Sequence, residues 1–166
     1  MSAEYKTVFA SIDDYRKGGV HCLNEDPKRY VFSNLYEVAA TNAPYDRIVV
    51  AKNLDYTIEA ARAEGTSDWM VCAHDEFVVA MDYDVEVHFV KLADDSIVDE
   101  DKDGFVTLQG NPDGQKMGRI LMTRGHQALL PEKTAYRFHS NKPATLMLQS
   151  ILGEETIEKW ADICLK

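Results

Sequence analysis

Cysteine is scarce in this chain. Cys22, Cys72 and Cys164 are its three cysteines. The number is odd, the spacings are wide and no C-x-x-C pair occurs, so neither a disulfide framework nor a structural zinc site is expected. Positive charge is also short: 18 Lys and Arg stand against 28 Asp and Glu, a formal net charge of −10. A nucleic-acid binder must neutralise phosphates and a lipid-surface binder must approach an anionic layer, so this balance excludes both classes. Long apolar runs are missing. Stretches such as Phe77-Val78-Val79-Ala80-Met81 are far too short to span a bilayer as a helix. The opening residues Met1 to Lys6 hold no apolar signal core, and a cytoplasmic protein is expected. No Gly-x-Ser-x-Gly, P-loop or dinucleotide fingerprint is present.

What remains is 166 residues, enough for one core and cramped for two ordinary domains. Hydrophobic residues at 45% and charged residues at 28% describe a globular chain, not a disordered one. The acidity is local, because residues 94–104 alone hold six Asp and Glu against one Lys. Within that stretch Asp99 to Gly104 matches the opening of an EF-hand calcium loop, but the twelfth position, where a bidentate Glu is needed, is Gly110. A solvated surface loop is therefore expected there.

The chain divides by pattern into three parts. Residues 1–55 form an N-terminal helical and extended segment. Ser11 caps a short helix stopped by Gly18-Gly19, and Asp26-Pro27 opens a second whose stripe is Val31, Leu35 and Val38. Tyr30, Phe32 and Tyr36 exceed what that stripe can bury, which suggests a docking surface or a locally wrapped helix. Arg47 to Ala51 reads as a strand. Residues 56–153 carry the β pattern. Thr57 to Glu64 is ambiguous between helix and strand. Trp69–Met81 and Val85–Leu92 read as strands joined at Asp82-Tyr83-Asp84. A long polar loop follows, then strands at Arg119–Arg124, Gln127–Leu130, Ala135–His139 and Thr145–Ile151. Residues 154–166 read as an amphipathic helix with Ile157, Trp160, Ala161 and Cys164 on one face. Many short strands between Gly and Pro turns, flanked by helices, make a mainly β fold: a small antiparallel barrel or sandwich with an N-terminal helical extension and a C-terminal helix.

Two segments can carry chemistry. In Cys72-Ala73-His74-Asp75-Glu76, strand alternation puts His74 and Glu76 on one face, where imidazole and carboxylate can bind a divalent metal or simply pair with each other. Two ligands do not complete a site. The second segment is Gly125-His126-Gln127-Ala128-Leu129-Leu130-Pro131, running on to Tyr136. It resembles the second motif of the cupin superfamily, whose members are antiparallel jelly-roll barrels. Gly125 and Pro131 keep the motif spacing. Lys133 stands at its second Gly, Tyr136 at its metal-binding His and Ser140 at its Asn. In the first cupin motif Glu76 is in register and Tyr83 holds the following Gly place. The two histidine places fall among Trp69, Met70, Val71, Cys72 and Ala73, and Gly65 lies one residue too close to Glu76. Of the four usual ligands only Glu76 is in register. Tyr is a poor iron(II) ligand, so His74, Glu76 and Tyr136 are read as vestigial positions and no catalytic metal is expected in this chain. His139 falls on the strand face opposite Tyr136, and His88 on a solvent face. His126 follows a turn, and His21 has no evident partner.

Within the cupins the chain resembles the small subunit of the two-component hydroquinone 1,2-dioxygenases, bacterial enzymes of 4-nitrophenol and 4-hydroxyacetophenone degradation. The resemblance lies in Arg62-Ala63-Glu64-Gly65-Thr66-Ser67, Ala73-His74-Asp75-Glu76-Phe77, Val85-Glu86-Val87-His88 and Gly118-Arg119-Ile120 through Pro131. It implies a heterotetramer of two small and two large cupin subunits (α2β2). Iron(II) and substrate would lie in the large subunit, and hydroquinone and O2 would give 4-hydroxymuconic semialdehyde by an extradiol-type cleavage. The small chain would be inactive alone, contributing no catalytic or cofactor-binding residue. Two other readings stay open: a stand-alone metal-dependent cupin isomerase or lyase using His74 and Glu76, and a non-catalytic cupin that binds a small molecule.

Overall fold

The computed structural model describes residues 34–53 and 56–159. The expected helix at Ser11, the Asp26-Pro27 helix start, His21, and Cys22 and Cys164 lie outside them. The described helix, α1, covers Leu35–Thr41. The Asn34 side chain caps it by accepting from the backbone N–H of Tyr36 at 3.0 Å and of Glu37 at 3.4 Å. Val38 and Ala39 bury its inner face.

Nine antiparallel strands follow among the described residues: β1 Ile48–Lys52, β2 Tyr56–Thr66, β3 Trp69–Cys72, β4 Glu76–Ala80, β5 Val85–Leu92, β6 Phe105–Leu108, β7 Gly114–Met122, β8 Gln127–Leu130 and β9 Thr134–Ile151. The long β9 belongs to both halves of the curled sheet. Its first part pairs with β5 and touches β3 at Met70–Tyr136, and its second part pairs with β2 and β4. One half thus runs β1-β2-β9-β4-β8 and the other β6-β3-β9-β5-β7. Between them sits an apolar core that includes Met70, Val78, Val87, Phe138, Leu146 and Leu148. This is the expected mainly β, antiparallel jelly-roll architecture, with only minor helical additions.

The ambiguous Thr57–Glu64 stretch is strand, because β2 is hydrogen-bonded on both sides, to β1 and to β9. Pairing on two edges outweighs the helix preference of its Ala and Glu residues. Several expectations need correction. Trp69–Met81 is two strands, since the chain leaves β6 and β9 at Cys72, bends through residues 73–75 and pairs with β8 in the other half. Ala135–His139 and Thr145–Ile151 are one strand, continuous except for a register shift opposite Ala63 and Gly65. The polar loop contains β6, and β7 begins at Gly114. Over residues 154–159 there is no C-terminal helix. Ile157 instead spends its N–H on the Arg47 carbonyl and its carbonyl on the Val49 N–H, both at 2.9 Å, closing a bridge to β1. Free backbone groups on that sheet edge satisfy this segment better than an isolated helical turn would.

The acidic stretch is a surface loop that opens with a short 3-10 turn at Asp95–Ile97, capped by Asp94. It is tied back by Lys102–Glu154 and Lys133–Glu100 ion pairs, each at 2.7 Å. Behind it Gly104 and Gly153 pack backbone to backbone: a Cβ on Gly153 would lie 2.6 Å from the Asp103 carbonyl oxygen. Among the described residues no helix is long and apolar enough to cross a membrane.

Candidate functional site

Four elements converge inside the barrel on one charged cluster. In β2 the inward positions alternate Thr57, Glu59, Ala61, Ala63, so one carboxylate enters a face of otherwise small, uncharged residues. Glu76 opens β4, Tyr136 lies early in β9, and Arg47 immediately precedes β1. All four side chains are essentially inaccessible to solvent. The Arg47 guanidinium joins them. Its Nε donates to Glu59 Oε2 at 2.5 Å, its Nη2 to Glu76 Oε1 at 2.6 Å, and its Nη1 to Glu76 Oε2 at 3.3 Å and to the Tyr136 hydroxyl at 3.1 Å. Tyr136 in turn donates to Glu76 Oε2. Thr57 Oγ1 donates to Glu59 Oε1 at 2.7 Å, and the Phe105 ring lies under the guanidinium with its centroid 4.3 Å from Cζ.

Burial in this low-dielectric interior disfavours charge, and the pairing overrides it. Burial alone would raise the Glu76 carboxyl; the Arg47 charge and its hydrogen bonds outweigh that and hold it at about 2. Burial would likewise lower the Arg47 guanidinium, yet the charges of Glu59 and Glu76 push it well above its ordinary value. Burial, with the Glu76 charge second, drives the Tyr136 hydroxyl and the Cys72 thiol upward, so both keep their protons.

The sequence-derived candidates fall into this picture unevenly. Glu76 and Tyr136, the two cupin-register positions, are brought into direct contact. His74 is not on a strand with Glu76: it sits in the bend after β3, half-buried, with Nε2 3.2 Å from Ser150 Oγ. Even so, one ligand atom each of Cys72, His74 and Glu76 lies within 4.8 Å of the others. As they stand, both Glu76 oxygens accept from Arg47 and Tyr136, His74 Nε2 pairs with Ser150, and the Cys72 thiol keeps its proton. Ser140, at the Asn position of the motif, is buried and donates to the carbonyls of Asp84 and Lys142. The remaining described histidines stand away from the cluster. His88 pairs with Glu86 at 2.9 Å, His126 contacts Thr123, and His139 bridges Thr66 and Asn141 outside the core.

Arg47 and Glu59 were not singled out from the sequence. Each is a charge beside an apolar run, Arg47 before Ile48-Val49-Val50-Ala51 and Glu59 before Ala60-Ala61, which is a weak signal, and only the tertiary contacts show that Arg47 reaches both Glu59 and Glu76.

No family model and no curated relative matches the chain. Solved structures do. Hydroquinone 1,2-dioxygenase from Sphingomonas sp. TTNP3 with 4-hydroxybenzoate bound contains a chain 54% identical to this one, with a TM-score of 0.81 and coverage of 97% of this chain and 98% of that one. Hydroquinone 1,2-dioxygenase PnpCD with Cd2+ and 4-hydroxybenzonitrile contains one 43% identical, TM-score 0.79, with both chains fully covered. A chain of PnpCD in complex with Fe3+ matches at 14% identity and TM-score 0.51, over 67% of this chain but only 29% of that longer one, a likeness of fold.

Proposed function

Since the chain belongs to the hydroquinone 1,2-dioxygenase family, we propose that it is the smaller, non-catalytic subunit of a two-chain enzyme that opens the hydroquinone ring with O2. The observation that carries this reading is coverage. At 54% identity the chain matches a dioxygenase chain end to end, while a second, much longer chain of the same kind of enzyme shares only its fold. The longer partner is then the place for iron(II), substrate and the extradiol-type cleavage to 4-hydroxymuconic semialdehyde, within an α2β2 assembly in the cytoplasm. This chain contributes assembly and support. Its own cupin position Glu76 is committed to Arg47 and Tyr136, which favours a barrel that works without a metal of its own.

Hydroquinone-dependent O2 uptake tests the reading. The chain alone should be inactive, the longer partner alone should be nearly so, and the reconstituted pair should consume O2. Full activity of the partner without this chain would overturn it.

A second reading has one observation in its favour, the proximity of Cys72, His74 and Glu76. It makes the chain a metal-dependent cupin in its own right. One tightly held equivalent of iron, manganese or zinc in the purified single chain would establish that reading and remove the first one's metal-free small subunit.

A further inference from the structure

Glu76 and Tyr136 stand where the cupin motifs carry two metal ligands, and here both face the same cation. We propose that Arg47 is the resident cation of this barrel: its guanidinium takes the place of a divalent metal between Glu76 and Tyr136, and truncating it opens a cation site built from Cys72, His74 and Glu76. This rests on the reading of the chain as metal-free and explains what replaces the metal.

The geometry suits a substitution of one cation for another. Arg47 presents a fork to both oxygens of Glu76 at 2.6 and 3.3 Å and a third donor to Glu59 at 2.5 Å. It thus neutralises buried carboxylates and satisfies their lone pairs at once, which a planar guanidinium does better than any other side chain. Phe105 closes one face of it at 4.3 Å. Two buried carboxylates, Glu59 and Glu76, share this one guanidinium, so removing it leaves both without a counter-charge and favours entry of a cation. While Arg47 is present, its charge repels such an ion and its donors hold the carboxylate. Once it is removed, three donors already within 4.8 Å of one another need contract only to the roughly 3.5 Å ligand separations of a tetrahedral site. Metal binding there would transfer the Cys72 thiol proton to solvent as the sulfur–metal bond forms. A surface cleft of about 230 Å3, bordered by Tyr45, Met70, Phe105 and Ile157, reaches Arg47 on the outer side of the cluster, so truncating Arg47 would open the cluster towards that cleft.

The test uses the full chain, freed of metal with chelator, as wild type, Arg47→Ala and the double variant Arg47→Ala/Cys72→Ser, with Co(II) as probe. Arg47→Ala should bind one equivalent of Co(II) and show a thiolate-to-cobalt absorption band that the double variant lacks. Wild type should bind roughly 10- to 100-fold more weakly, the scale on which altered ligand support changes metal affinity. Without metal, Arg47→Ala should melt well below wild type and recover with millimolar methylguanidinium but not with urea at the same concentration. If the variant fails to fold in cells, refolding it from denaturant with methylguanidinium or Co(II) reads the same occupancy as recovered yield. No response of Arg47→Ala to either cation, with wild type free of metal, overturns the replacement and leaves the metal-free reading standing. Stoichiometric Co(II) with a thiolate band in wild type overturns both.

Discussion

Lys133 donates its backbone N–H to the carbonyl of Cys72 at 2.7 Å while holding a φ of +53°. The turn between β8 and β9 is thereby pinned to the end of β3, next to the charged cluster. Position 133 is where the cupin motif carries Gly, and the backbone keeps the left-handed conformation although a side chain has replaced the hydrogen. L-residues pay about 1–2 kcal/mol for that conformation, and β-branched ones are its poorest occupants. Lys133→Gly and Lys133→Val both lose the exposed Lys133–Glu100 pair, so their difference isolates the backbone. The Gly variant should unfold at an equal or higher urea concentration than wild type, and the Val variant about 1–2 kcal/mol below the Gly variant. Equal midpoints would show the turn to be unstrained.

The Arg47–Glu76 pair gives stability a pH dependence of definite sign. Glu76 is held at about 2 in the fold, against an ordinary carboxyl value of 4.5. A carboxyl lowered by folding stabilises fully above its unfolded value, and that contribution drains away as pH falls from 4.5 towards 2. Urea midpoints measured at pH 7, 4 and 3 should therefore fall progressively, and Glu76→Gln should flatten the slope in that window. A wild-type midpoint unchanged between pH 5 and pH 3 would contradict the pairing.

Removing Glu76 leaves Arg47 its ion pair with Glu59 but takes the charged acceptor from two guanidinium nitrogens and from the Tyr136 hydroxyl, breaking one of the two buried pairs. Glu76→Gln at pH 7 should cost about 3–5 kcal/mol. Tyr136→Phe, which deletes only a hydroxyl that donates to Glu76, should cost about 1–3 kcal/mol. Chemical denaturation of the two variants checks the order, and a larger loss for Tyr136→Phe would mean that the hydroxyl, not the guanidinium, anchors the carboxylate.

Gly153 has no room for a methyl group. A Cβ would meet the Asp103 carbonyl oxygen and the Gly104 Cα, both at 2.6 Å. These are backbone atoms, so relief requires the β6 end and the segment after β9 to separate. Gly153→Ala should destabilise by about 1–3 kcal/mol, the range for overpacked sites, and hydrogen exchange should speed up at Phe105 and Ile157.

Cys72 is buried, and its thiol is pushed up by burial and by the Glu76 charge, so little thiolate forms. Iodoacetamide at pH 8 should leave Cys72 unmodified in the folded chain and label it on denaturation, as peptide mass spectrometry would show. Rapid labelling in the native state would indicate an open site.

Much of the architecture is legible along the chain because strands, turns and caps are local. Val85–Leu92 alternates and is a strand over that span, and Gln127–Leu130 is found with its expected ends. Gly125 adopts the positive φ that its place in the motif implies. The failures share a cause. The break at Ala73–Asp75, the unity of β9 and the bridge made by Ile157 depend on which edges are free to pair, and no local pattern records that. The apolar spacing at residues 157–164 looks helical by itself, yet over residues 154–159 the backbone finds better partners on β1.

The candidate site divides the same way. The residues by themselves determined that Glu76 keeps the cupin register while Tyr136 and Lys133 have replaced its His and Gly, because motif spacing is a property of the chain. Only the tertiary structure decided what Glu76 does there. Arg47 is 29 residues from Glu76 and 89 from Tyr136 along the chain. Pairing of β1, β2, β4 and β9 brings these groups and Glu59 together in a space closed to water. In that space an unpaired charge is prohibitively costly, so the cluster had to supply its own cation.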